Sequence, residues 1–574
     1  MDYQNKVKRY IIKMKNVSPL IIGTGEDGIE GLLTRDKKAL IQGSSIAGLF
    51  RSFLIEILKN EKDSKVIREI QEVYKAVYHE YITDNRTYIN KKPVFQTIDQ
   101  SNFISIGDKN IIDKELVNIN KKNSTVYFYD FYSTKELEGK DYLNRAHTKM
   151  DEKTGTTEAG SLFEQYKLAK GLEFISFIDL RKFDNDNNEQ NKNNNENDEA
   201  IYKLTDQYLS LFIYKLTNES ISVGAKTNFG CGKFNGESYF HEFNFDYDDN
   251  NEKLKEEEKR EVLSKYLSDQ ENLLSGEIES NFNKLKDSKD SKNYKPLSVD
   301  LDTDDNMMIF ELEFYCEDGM LIKSSKPKKI NGKTVTSSYE ENDNYIIPSS
   351  SIKGILRNQI NSVNESLKRL KQDNNYDISN IYDDIITYIF GGSLKEDNKK
   401  KKDKSDEEDK KDEKDENLKT INIKGKAKFE DIEFDNYREA EDISSVKSNI
   451  PIIFTKPRIK IDRFTGGAMN GTVFKEQLVI IPKDYDNKPK IRIKIDNNAN
   501  EIAKGYILMA LRDLANNKIT IGSGANVGYG FINPVSLKIT KHKNDYIYYF
   551  EEQNSNNTVA ENEFSKIIQS IVNN

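Results

Sequence analysis

Cysteine, histidine and tryptophan are all scarce, and each scarcity removes a class of protein from consideration. The 574 residues hold only Cys231 and Cys316, four His and no Trp. Two cysteines build no disulfide framework, and without a Cys/His cluster the spacing of a structural zinc site is missing too. Long apolar runs are also lacking. No stretch reaches the roughly 18 apolar residues that a membrane span needs, and the start, MDYQNKVKRYIIKMKN, lacks the apolar core of a secretory leader. A reducing, cytoplasmic setting with no membrane partner is expected. An excess of basic charge is absent as well: the formal net charge is -9, whereas phosphate contacts need Lys and Arg to displace counterions. Part of the acidic excess sits in inserts, so a local basic groove remains compatible with it.

What is present builds cores. The apolar fraction of 36% is low, but aromatics supply 10%, all Tyr and Phe. The length exceeds one ordinary core and favours two large domains with insertions.

An internal repeat organises them. Ile221-Ser-Val-Gly-Ala-Lys-Thr-Asn-Phe-Gly-Cys-Gly-Lys-Phe234 aligns without a gap to Ile519-Thr-Ile-Gly-Ser-Gly-Ala-Asn-Val-Gly-Tyr-Gly-Phe-Ile532, so that Gly224, Asn228, Gly230 and Gly232 meet Gly522, Asn526, Gly528 and Gly530. Nearer the start of each half, Ile41-Gln-Gly-Ser-Ser-Ile-Ala-Gly-Leu-Phe-Arg51 matches Ile347-Pro-Ser-Ser-Ser-Ile-Lys-Gly-Ile-Leu-Arg357, with apolar residues at helical spacing behind the serines. Mid-half, Asp151, Thr154, Gly155, Gly160 and Phe163 meet Asp462, Thr465, Gly466, Gly471 and Phe474 in one register. Three matches in one order establish a duplication.

Domains follow at 1–245 and 296–574, joined by a partly helical linker at 246–295. Two segments without apolar residues, about 184–199 and 395–417, are expected to be disordered insertions. Elsewhere short runs rich in Ile, Phe, Tyr and Val, such as Lys8–Met14 and Met308–Tyr315, alternate with helices. The expected class is α+β.

Together the serine blocks, Leu20-Ile-Ile-Gly-Thr-Gly25, Ile461-Asp-Arg-Phe-Thr-Gly-Gly-Ala468 and the glycine loops resemble the signature blocks of the RAMP superfamily, most closely the backbone subunits of type III CRISPR effector complexes. The resemblance implies two tandem ferredoxin-like, RRM-related domains with thumb-like hairpins, assembled along a CRISPR RNA (crRNA) with target RNA and other effector subunits as partners. It also implies target cleavage by an acidic residue in a loop before the serine block. There Glu30 stands six residues before the Asp of Arg35-Asp36, where the family carries Asp, and Asp27 has the expected type three residues earlier. The second half, from Ser325 to Tyr339, has no carboxylate.

The chemistry is reasonable because RNA brings its own 2′-OH nucleophile, and one carboxylate with a divalent ion, Mg²⁺ by expectation, can stabilise charge on the phosphate. A solvated turn is the alternative for Glu30 and Asp27. Ser44, Ser45, Ser350 and Ser351 sit at helix starts, where backbone N–H groups attract anions and Lys353 adds charge; simple N-capping is the alternative. Arg51 and Arg357 close those blocks. Lys226 and Asn526 lie in glycine loops that suit either a ribose-phosphate chain or tight turns. Lys456, Arg458 and Lys460 alternate toward Arg463 and Thr465, and Arg145, His147 and Lys149 repeat the pattern; a stripe on an extended strand suits single-stranded RNA or is a solvated face. The expected role is a crRNA-binding backbone subunit whose first half cleaves target RNA. A non-catalytic scaffold is the alternative, and a stand-alone RNA-processing nuclease a third.

Overall fold

The computed structural model describes residues 4–23, 32–60, 63–78, 87–89, 92–94, 124–148, 158, 160–183, 192–245, 260–268, 282, 295–299, 307–324, 327–330, 333–372, 379–395, 420–434, 436–440, 449–542, 544–551 and 555–572. They fall into two compact units. Unit 1 comprises Met1–Arg145, Glu164–Thr227 and Cys231–Asp302; unit 2 comprises Ala146–Phe163, Asn228–Gly230 and Thr303–Asn574.

The strand Gln4–Asn16 organises unit 1, pairing antiparallel with Glu173–Phe183 on one side and Phe234–Asn244 on the other. Beyond Glu173–Phe183 lie Val126–Phe128 and Phe131–Ser133. Side chains alternate across a strand, so Tyr10, Ile12 and Met14 share one face with Phe50 and Leu54 of helix Gly43–Asn60 and Phe212 and Ile213 of helix Lys192–Thr217. Each such aromatic or aliphatic side chain contributes about 1.5–3 kcal/mol by leaving water.

The opposite face is covered as well. There Ile11, Ile175 and Phe177 pack with Phe282, and Val7 and Phe243 with Tyr266, so the segment expected as a linker supplies a layer over the sheet. The fully buried Arg9 lies on this face. Its Nε and Nη2 donate to the two oxygens of Asp179 at 2.8 and 2.9 Å, and its Nη1 donates to the Tyr266 carbonyl at 2.8 Å. The Tyr266 hydroxyl donates to Asp179 at 2.8 Å, and burial with the neighbouring Asp179 charge pushes that phenol upward. A bidentate pair whose third guanidinium nitrogen is also hydrogen-bonded is the geometry that lets an ion pair stand away from water.

Unit 2 repeats the plan. Strand Met307–Met320 pairs antiparallel with Lys490–Asp496 and Asn533–Lys541, and Lys428–Phe429 pairs with Lys490–Asp496. Met308, Phe310, Leu312 and Phe314 face the core with Ile352, Leu356 and Tyr506. Outward, Glu311 takes Arg492 at 2.9 Å and Glu430 takes Lys494 at 3.1 Å. Helix Glu501–Ala515 is started by Asn500, whose Oδ1 accepts from the Ile502 amide at 2.9 Å. It is buried on nearly all sides because helix Ser555–Val572 covers it. The two helices lie close together at Gly505, where a Cβ would stand 2.8 Å from Ile571 Cγ1 and 2.9 Å from the Ile567 carbonyl oxygen.

Four core strands of each unit therefore lie in the order fourth, first, third, second, with helices after the first and third. They are Phe234–Asn244, Gln4–Asn16, Glu173–Phe183 and Val126–Phe128 in one, and Asn533–Lys541, Met307–Met320, Lys490–Asp496 and Lys428–Phe429 in the other. The α+β class follows, with two copies. One expectation needs correction: residues 192–199, read as disordered, form the first turns of helix Lys192–Thr217. A helix nucleated by the apolar residues from Ile201 onward propagates outward cheaply, and Glu199 pairs with Lys182 at 2.8 Å. Residues 184–191 and 396–419 lie outside the described residues. Lys395, read as part of the second insertion, pairs instead with Thr420 in the ladder Gly392–Lys395/Thr420–Ile423.

Candidate nucleic-acid interface

Most of the exposed large apolar residues of unit 2 share one long hairpin, Ile452–Ile461 with Ala468–Ile481, among them Ile459, Ile461, Phe464 and Val473. Its turn is built by Asp462, whose Oδ1 accepts from the amides of Phe464 at 2.8 Å and Thr465 at 2.9 Å. Those two N–H groups hold the Asp462 carboxyl below its usual range. Gly466 follows at φ 65°. The Thr465 hydroxyl accepts from the Gly467 amide at 3.3 Å, so this candidate shapes the turn. Phe464 is thereby displayed at the apex with 101% relative exposure, beside the exposed Arg463.

Down the hairpin, Arg458 donates to Glu476 at 2.8 Å and stacks over Phe474 and Tyr529, its guanidinium carbon 5.4 and 5.7 Å from the ring centroids. Lys456 stands 5.4 Å from the Tyr529 centroid. The Glu476 hydrogen bond raises the Arg458 pKa, so its charge is fixed. Ile459, Ile461, Val473 and Phe474 remain exposed around it. Basic stacking groups beside apolar surface form a platform that accepts any base face and a phosphate chain.

Tyr529 brings in the second glycine loop. Gly522, Gly524, Gly528 and Gly530 all have positive φ, and the loop is stapled by Ser523 N donating to the Leu321 carbonyl at 2.8 Å and Gly530 N to the Gly319 carbonyl at 3.0 Å. In the first copy Ala225 N reaches Ile21 at 2.9 Å and Gly232 N reaches Pro19 at 2.8 Å. A Cβ at Gly232 or Gly530 would overlap the carbonyl of Val223 or Ile521, so these two glycines are structural. Lys226 and Asn526 are exposed on the loops.

The first-half counterpart of the hairpin, Tyr142–His147 with Phe163–Leu168, keeps the stacked pair in altered form: His147 lies over Phe163, centroids 5.2 Å apart. Leu162 and Phe163 are exposed, whereas Arg145 is buried. Arg145 is thus withdrawn from the surface, and Lys149, Asp151, Thr154 and Gly155 lie outside the described residues. The exposed aromatics Phe163, Phe464 and Phe474 were not singled out as contacts from sequence, although two of them occupy matched repeat positions.

At the serine blocks the helix starts are capped by carboxylates from a distant strand connection. Gly43 N donates to Asp130 Oδ1 at 2.8 Å, and Ser349 N donates to Asp431 Oδ1 at 2.7 Å. The capping role read onto Ser44, Ser45, Ser350 and Ser351 belongs to these aspartates. A phosphate at the same helix end would meet their negative charge, which weakens it as an anion site. Arg51 is engaged in helix packing, its Nε donating to the Tyr74 hydroxyl at 2.6 Å. The matched Arg357 has a buried Nε with no hydrogen bond among the described residues. Lys353 is buried with its Nζ 4.1 Å from the Phe229 ring centroid.

Asp27 and Glu30 lie outside the described residues, between Gly23 and Leu32, which form an isolated bridge. The corresponding span of the second half is a hairpin, Lys328–Ile330 with Lys333–Thr336, whose Val335 and Thr336 run parallel to Lys475 and Glu476. Among the described residues no group of three or more His, Cys, Asp or Glu could hold a metal ion, so no ligand set is assigned. No helix of the described residues is long and apolar enough to cross a membrane. No curated protein matches the chain. A family model described as the RAMP superfamily matches residues 13–235 and 329–533.

Proposed function

The chain belongs to the RAMP superfamily, whose proteins bind RNA within CRISPR complexes, and on that basis we propose that it is a crRNA-binding backbone subunit of a type III effector complex. The observation that carries the reading is the hairpin bearing Arg458, Arg463 and the fully exposed Phe464. We read it as the family's thumb-like hairpin. The strand order shared by both units supports a ferredoxin-like core in each.

In this proposal the first half also cuts target RNA. A carboxylate of Glu30 or Asp27 takes the proton of the 2′-OH as that oxygen bonds to the adjacent phosphorus, and the P–O5′ bond breaks, leaving a 2′,3′-cyclic phosphate and a 5′-oxygen that takes a proton from water. A divalent ion, Mg²⁺ by expectation, would supply charge stabilisation on the phosphate. The second half binds without cutting through this loop, a reading favoured by its lysine-bearing hairpin and the absence of carboxylates from Ser325 to Tyr339. The protein acts in the cytoplasm with crRNA, target RNA and other effector subunits, away from membranes.

Co-expression with a repeat–spacer array tests the reading. A protected RNA should copurify and dissociate steeply with salt, because several phosphates are neutralised at once. Protein that purifies free of RNA would overturn it.

A further inference from the structure

In unit 2 the short hairpin Lys328–Ile330 with Lys333–Thr336 is joined edge to edge to the long hairpin through strand Ala468–Ile481. Facing residues of paired strands share one side of the ribbon. Lys329 faces Thr334, Thr336 faces Glu476, and Glu476 and Phe474 face Lys456 and Arg458. Thr334 comes two residues before Thr336, and Phe474 two before Glu476, so both lie on that same side. One face of the four strands therefore carries a row: Lys329, Thr334, Phe474, Arg458. Lys328 takes the opposite side, where it pairs with Glu340 and lies 5.6 Å from the Tyr345 ring centroid.

The row has a ring between two cations. Lys329 and Thr334 are exposed, and Phe474 is 38% exposed. The Glu476 carboxylate beside them is answered by Arg458 at 2.8 Å, which leaves Lys329 and Lys456 unmatched by a carboxylate among the described residues. The ends of the row are three strand spacings apart, roughly 14 Å. A ring flanked by cations on an extended ribbon seats a base with its backbone on either side. We propose that the row is a nucleotide-binding rung: a base of single-stranded RNA stacks on Phe474, Lys329 and Arg458 hold phosphates on its two sides, and the Thr334 hydroxyl donates to the phosphate at Lys329. The RNA crosses the ribbon at a right angle to its strands. This rests on the RNA-binding reading of unit 2, and it makes the lysine hairpin a grip in its own right.

Full-length protein freed of nucleic acid is titrated with a fluorescein-labelled oligouridylate across a salt series. Lys329→Ala should lower the slope of log affinity against log salt by about one, and Lys329→Arg should keep it. Phe474→Leu should weaken binding on the order of tenfold with the slope retained. Lys328→Ala, on the far side and already paired, should change neither. An unchanged slope in Lys329→Ala, or an equal loss in Lys328→Ala, would overturn the rung. Copurified RNA and an added complementary RNA show which strand sits there: Lys329→Ala should release one of the two at lower salt than the wild type does. Release of neither would overturn the rung as well. A wild type that purifies without RNA yet binds oligouridylate through Lys329 sinks the backbone-subunit reading and leaves the rung standing.

Discussion

Asp130 accepts the amide proton of Gly43 at 2.8 Å, and Asp431 accepts that of Ser349 at 2.7 Å, so one carboxylate in each copy starts the helix behind the serine block. Replacing an N-cap acceptor costs about 0.5–2 kcal/mol. Asp130→Ala should therefore destabilise unit 1, and Asp431→Ala unit 2, by that amount in denaturant unfolding. Ser44→Ala and Ser350→Ala should change stability by much less. Equal losses from the serines would return the cap to them.

Phe464 is fully exposed, so removing its ring uncovers no side chain among the described residues. Phe464→Ala should leave the unfolding midpoint unchanged and weaken single-stranded RNA binding by about 1–3 kcal/mol, the value of one stacked base. Arg458→Ala should act on charge as well, lowering the slope of log affinity against log salt by about one. Fluorescence anisotropy across a salt series reads both. A Phe464→Ala protein with unaltered affinity would remove the hairpin apex from the interface.

Unit 2 should lose stability in acid partly through Asp513. Burial disfavours its charge, yet hydrogen bonds from Gln359, Lys518 and Arg512 outweigh that and hold the carboxyl below its usual value. With the folded pKa below the unfolded one, about 3.9 for Asp, the stabilisation is complete above the unfolded value and lost as pH falls through the folded one. Urea midpoints of the wild type should therefore drop below about pH 4 more steeply than those of Asp513→Asn, which cannot ionise. Parallel curves would count against the assignment.

Cleavage should map to the first half. Glu30→Ala with Asp27→Ala should abolish a cut in a guide-matched target in Mg²⁺ while binding persists, because the loss falls on the chemical step alone. Thr334→Ala and Thr336→Ala should leave the pattern unchanged, since neither hydroxyl is an effective acid or base near neutral pH. A denaturing gel of labelled target in the assembled complex distinguishes these outcomes; every cut surviving in the double variant would leave a scaffold.

The duplication was legible along the chain because its marks are local demands. A Cβ at Gly232 or Gly530 would overlap a carbonyl within the same loop, so the backbone geometry that both copies require writes itself into matched glycines. Strand alternation was legible for the same reason: Tyr10, Ile12 and Met14 in one half, and Phe310, Leu312 and Phe314 in the other, display a period of two that needs no partner to be seen. The partners, by contrast, were settled only by tertiary packing. Asp130 lies far along the chain from Gly43, and Asp179 farther still from Arg9, so neither the cap nor the buried pair leaves a spacing to recognise. Arg51 and Arg357 hold equal places in matched blocks, yet Arg51 is drawn into packing by Tyr74, a residue on another helix. A charged side chain reads alike in sequence whether it faces RNA, a carboxylate or a ring, because its free energy is set by whichever group folding brings within hydrogen-bond reach.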